Sequence, residues 1–107
     1  ESLLSGLAVG APGAVGRSYN FAAPIYLKLM STFEAGNLET AQECQLKSVK
    51  MISLLSSYGY MGAAKATMKI LGIDVGQPRL PNSSLSDAQI VELEKELKAL
   101  GFFEWIA

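Results

Sequence analysis

Arg17, Ser18, Tyr19 and Asn20 stand in a row at the end of a short apolar, glycine-flanked stretch, Gly13-Ala14-Val15-Gly16. Backbone that reads as buried and then turns polar at once is what a chain offers where something is to be bound. Covalent chemistry is harder to find. Lys28, Lys47, Lys50, Lys65, Lys69, Lys95 and Lys98 all fall on helical patterns, where surface solvation accounts for them. An amine nucleophile needs a desolvated pocket to lower its pKa, and an exposed helix face offers none. Cys44 lies in a helical pattern and reads as a small packing residue. Histidine is absent, which removes histidine-based triads and the commonest metal ligand.

Composition narrows the classes further. The chain has 107 residues, half of them hydrophobic, and a net charge of −1. That suits one soluble globular domain or part of one. Low, balanced charge points neither to nucleic acid nor to an anionic membrane surface. No run of about 18 apolar residues could span a bilayer. A lone cysteine excludes an internal disulfide framework and suits a reducing, cytoplasmic compartment. The chain opens at Glu1 without Met and falls at once into an apolar helical pattern, as a start inside a larger protein would.

The elements that must carry these groups are mostly helical. Leu3, Leu4, Leu7 and Ala8 share a face in a short first helix over 1–9, stopped by Gly10, and Ala11-Pro12-Gly13 is turn chemistry. Ala14-Val15, confined by glycines, predicts a minimal parallel strand over 14–16. Pro24 fits a helix's first turn, with Ile25, Tyr26, Leu29, Met30 and Phe33 on one stripe and Gly36 as a cap. Asn37 caps the next helix, with Leu38, Ala41, Val49, Ile52 and Leu55 at helical spacing as far as Tyr58. Another helix runs from Tyr60 to Leu71 with Met61, Ala64, Met68 and Leu71 inward. Pro78 and Pro81 keep 73–85 extended. Ser86 with Gln89 forms a capping box for a last helix carrying Ile90, Leu93, Leu97 and Leu100, and the apolar FFEWIA tail packs. One strand cannot make a sheet, so its backbone partners must lie in residues outside this chain.

Taken together, Glu1, the turn Gly10-Ala11-Pro12-Gly13, the run Ala14-Val15-Gly16-Arg17-Ser18-Tyr19-Asn20 and the segment Gly76-Gln77-Pro78-Arg79-Leu80-Pro81 carry a resemblance. The chain resembles the C-terminal part of the N-acetylneuraminate lyase / dihydrodipicolinate synthase family of class I aldolases. It is closer to the first branch, because of the Tyr19-Asn20 pair. The resemblance implies an α/β fold, the end of a (β/α)₈ barrel. Residues 1–36 would supply a helix, the eighth strand and the eighth helix. Residues 37–107 would form a C-terminal helical region, so that this fragment is mostly α. In such barrels the active site lies at the carboxyl ends of the strands, where Arg17 and Ser18 would emerge.

The resemblance also implies the chemistry. Family lyases cleave N-acetylneuraminate to pyruvate and N-acetylmannosamine through a Schiff base on a lysine of the sixth strand. A tyrosine on an earlier strand handles the proton, and a Ser/Thr pair grips the carboxylate; none of these segments lies in this chain. Glu1 matches the glutamate that accepts hydrogen bonds from the sugar's polyol chain. Arg17 stands where many family lyases have a serine facing substrate; an arginine there adds bulk and a cation able to pair with Glu1. Ser18 replaces a threonine and supplies a structural hydrogen bond. The substrate-binding expectation is therefore Glu1 and Arg17, with no metal and no cofactor. The expected partners are a small sugar acid, the rest of the barrel and, in the complete enzyme, a homotetramer. Two other readings stand beside this one. One is a different pyruvate-dependent aldolase or dehydratase of the family, and the other is a non-catalytic helical module that binds a partner protein. The aldolase reading expects the isolated chain to aggregate or stay molten, with Leu29 and Phe33 uncovered by the missing barrel.

Overall fold

The computed structural model describes residues 1–107, and its regular structure is entirely helical. Two compact units can be described separately, residues 1–50 with 104–107, and residues 51–103.

The first unit begins with α1, Leu3–Ala8, which buries Leu3. Residues 11–16 have no regular structure, so the strand expected over 14–16 does not form. The reason is the one the isolated pair already raised: a strand is defined by its ladder, and this chain offers 14–16 no second strand. Val15 is fully exposed, as befits a residue whose neighbours are not in the chain.

Next comes α2, Tyr19–Glu34, which buries Phe21, Ala22, Ile25, Tyr26 and Leu29. Ala22 departs from helical geometry (φ −130°, ψ 23°), so α2 is two helical pieces joined at a kink. Pro24 sits in the first turn of the second piece, where its missing N–H costs nothing. Leu29 is fully buried and is not left uncovered; Phe33 is half-buried. The apolar side chains that do remain exposed here are Val9, Val15, Leu27, Leu38, Leu46 and Val49.

The long helix α3, Leu38–Ser57, follows Gly36 and is capped by Asn37, whose Oδ1 accepts the Thr40 N–H at 3.1 Å. Its buried stripe is Ala41, Cys44, Ser48, Met51 and Leu55. Of the expected stripe, Ala41 and Leu55 belong to this face, whereas Leu38 and Val49 are exposed and Ile52 is half-buried. Spacing of three and four residues fits either set; which face is covered is decided by the neighbours.

In the second unit, α4 (Tyr60–Ile70) buries Gly62, Ala63, Ala66 and Thr67. Met61, Ala64, Met68 and Leu71, expected inward, are half-buried. The small face wins because the segment around Ser83 lies directly on it: a Cβ on Gly62 would fall on the Ser83 carbonyl oxygen. Residues 73–85 are extended or turn, as the prolines require, with a cis peptide at Leu80-Pro81. Then α5, Asp87–Leu100, starts with the expected capping box, Ser86 Oγ accepting from the Gln89 N–H while Gln89 Oε1 accepts from the Ser86 N–H. It buries Leu93 and Leu97 and closes on Gly101 in the left-handed conformation (φ 92°), open to glycine at little cost. Phe102, first residue of the short α6 (Phe102–Trp105), is completely buried. Ser86→Ala is expected to lower stability by about 1 kcal/mol, read as a lower unfolding midpoint and faster amide exchange in the first turn of α5.

Candidate functional site

Glu1 and Arg17 both lie in the first unit, and both are exposed. The segments that carry them are held by polar contacts. The turn at Glu1 is fastened by Gln45 of α3, whose two amide ends are both used. Its Nε2 donates to the Glu1 carbonyl, and its Oε1 accepts the Leu4 N–H at 2.9 Å. Ser2, at the N-cap of α1, makes no side-chain capping bond. Gln45 therefore satisfies one of the amide donors that a helix start leaves open.

Arg17 is followed by a buried anchor. Ser18 is 6% exposed, and its Oγ lies 2.8 Å from the Tyr26 hydroxyl, which in turn lies 2.9 Å from Ser48 Oγ. One tyrosine hydroxyl thus bridges two buried serines. As a result Ser18, the N-cap of α2, makes no side-chain capping bond to its own helix. The structural hydrogen bond expected of Ser18 is present. The Arg17 carbonyl accepts from both the backbone N–H (3.3 Å) and the side-chain Nδ2 (3.0 Å) of Asn20. Asn20 thereby closes the turn that carries Arg17.

Tyr19 packs beside this anchor. Its ring packs on Tyr26 with centroids 4.2 Å apart and planes tilted by 53°. It also covers Gly16 so closely that a Cβ there would stand 3.3 Å from ring carbons. The Tyr19 phenol is pushed above the usual tyrosine range, first by burial, then by Tyr26 and by the negative charge of Glu1. It therefore keeps its proton at neutral pH and remains a donor. No group of three or more Cys, Asp or Glu side chains gathers into a metal-holding cluster. No helix is long and apolar enough to cross a membrane.

Residues 1–100 match the dihydrodipicolinate synthetase family. The chain belongs to that family. Among its relatives, an N-acetylneuraminate lyase of Rhizobium meliloti is 33% identical over 89% of this chain and 32% of its own length. A 4-hydroxy-tetrahydrodipicolinate synthase of Corynebacterium diphtheriae is 31% identical over the same shares. The solved structure of Proteus mirabilis N-acetylneuraminate lyase matches with a TM-score of 0.87 and 40% identity, over 94% of this chain and 34% of the other. This chain therefore spans about a third of the relatives it matches, and its fold corresponds to the C-terminal, helical portion of a (β/α)₈ barrel.

Glu1, Arg17 and Ser18 are among the residues expected from the sequence, whereas Gln45, Ser48 and the Tyr26 hydroxyl are not. A signal existed for one of them. Ser48 interrupts the otherwise apolar stripe of α3, and a hydroxyl on a buried face must find a partner. Gln45, half-buried beside that stripe, carried no such mark.

Proposed function

We propose that this chain is the C-terminal part of a Schiff-base-forming class I aldolase, and that the complete enzyme is an N-acetylneuraminate lyase releasing pyruvate and N-acetylmannosamine. The observation that carries the reading is the match to the Proteus mirabilis lyase, at 40% identity with the backbone superposing along nearly the whole chain. In this reading residues 1–36 complete the barrel, residues 37–107 form the helical region behind it, and the nucleophilic lysine lies in the part of the barrel outside this chain. Glu1 accepts hydrogen bonds from hydroxyls of the sugar tail, since a carboxylate has acceptors only. Arg17 adds a fixed cation and bulk beside it, biasing the site among sugar acids. Residues 1–107 contribute recognition, and no covalent step is assigned to them. The complete enzyme is a cytoplasmic homotetramer, in keeping with the free, buried Cys44 and with apolar Leu27, Leu38 and Leu46 left open on the first unit.

The Corynebacterium diphtheriae relative favours a second reading, a dihydrodipicolinate-type synthase. The Tyr19-Asn20 pair argues for the lyase, because by family resemblance the synthases lack it in that form. The test uses the complete protein. Borohydride should trap pyruvate covalently, and N-acetylneuraminate should be cleaved with release of pyruvate. Trapping without cleavage of any sugar acid would favour the synthase, and no trapping at all would refute both.

A further inference from the structure

Each of the two segments that carry Glu1 and Arg17 is tied to the same stretch of α3. Gln45 and Ser48 are three residues apart, which places them on one face of the helix. Gln45 holds the Glu1 carbonyl and the Leu4 N–H together. Ser48 holds the Tyr26 hydroxyl, which holds Ser18, the residue next to Arg17. Neither segment's own helix makes a local side-chain cap, and at α1 the Gln45 amide takes the Leu4 N–H in its place. We propose that Gln45 and the Ser48–Tyr26–Ser18 hydroxyl chain are positioning residues: one face of α3 sets where Glu1 and Arg17 stand relative to each other, and so sets specificity for the substrate tail.

The arrangement suits that task. Gln45 and Glu1 are 44 residues apart in sequence, and Ser48 and Ser18 are 30 apart, so these ties add to the local turns a restraint that exists only in the folded chain. Gln45 acts at once as donor and acceptor, which neither glutamate nor methionine can do at that position. Ser48 is fully buried and Ser18 nearly so, with Tyr26 between them at 3% exposure. Rotamers locked by burial and by two hydrogen bonds hold their neighbours more narrowly than exposed side chains could. Only the orientation of the recognising groups depends on α3.

This proposal rests on the lyase reading, and the test separates the two. In the complete protein, Gln45→Met keeps the volume and removes both hydrogen bonds, while Tyr26→Phe keeps the ring against Tyr19 and removes the bridging hydroxyl. Amide exchange should quicken at Leu4 in the first variant and at residues 19–22 in the second, with α4 and α5 unchanged. Both variants should still trap pyruvate with borohydride at the parent rate. Their kcat/KM for the sugar acid should fall on the order of tenfold to a hundredfold, as small misplacements of recognition groups do. The two variants should also flatten the ranking among sugar acids of different tail length. Unchanged exchange at both sites, or quickened exchange with an unchanged ranking, would overturn the proposal. A parent protein that traps no pyruvate would refute the lyase reading, and the exchange arm would still decide whether α3 holds the two segments.

Discussion

Gly62→Ala is expected to destabilise the second unit, against the preference of the helix in which it sits. Glycine inside a helix is worse than alanine by about 1 kcal/mol, so propensity alone predicts a gain. Packing predicts the opposite. A Cβ on Gly62 would fall on the Ser83 carbonyl oxygen, 2.9 Å from Leu85 Cδ1 and 3.5 Å from the Ser83 carbonyl carbon. The first of these contacts is with backbone, so no side-chain rotation relieves it. The segment before Ser86 would have to lift away from α4. Overpacking of this kind costs about 1–3 kcal/mol, and a larger residue costs more. The net expectation is a loss of up to about 2 kcal/mol for alanine after the propensity gain, and a larger one for Gly62→Val. Lys69→Ala, on the exposed side of the same helix, should stay within about 0.5 kcal/mol of the parent. The measurement is the unfolding midpoint together with amide exchange in α4. A Gly62→Ala protein that melts above the parent would show that the 83–85 segment yields freely.

Glu1→Ala in the complete enzyme should weaken kcat/KM for the sugar acid by roughly 1–3 kcal/mol, the size of a hydrogen bond to a charged group. Trapping of pyruvate by borohydride should be unaffected, because the nucleophile of the proposed mechanism lies outside this chain. Arg17→Ser removes the cation and should reorder the preference among keto-sugar acids more than it changes pyruvate binding. The two effects are not expected to add, since groups sharing one substrate couple. Three measurements decide the matter: trapping with pyruvate, kcat/KM for several sugar acids, and the double variant. Loss of trapping in Glu1→Ala, or an unchanged ranking in both variants, would mean that the two side chains are structural.

Much of this protein is legible from its residues because the signals are local. The glycines after each helix, Asn37, the Ser86–Gln89 box and the prolines of 73–85 each act within a few residues of where they stand, and each marks its boundary in the structure. Leu93 and Leu97 are buried as their spacing requires. The tertiary structure decided what local signals leave open. On α3, Cys44, Ser48 and Met51 are covered where Leu38 and Val49 are not, because several faces of that helix are apolar enough to bury and only the neighbours choose among them. On α4 the small face is the buried one, since another stretch of backbone lies on it. The glycine-bounded Ala14-Val15 pair has strand-like residues without a strand, because a ladder is a property of two segments and one of them is not here. The site divides along the same line. Glu1 and Arg17 are singled out by the family resemblance, whereas the side chains that tie down their segments, Gln45 and Ser48, come from a helix distant in sequence. Hydrogen bonds across so many residues leave no periodicity to read; they exist only once the chain has folded.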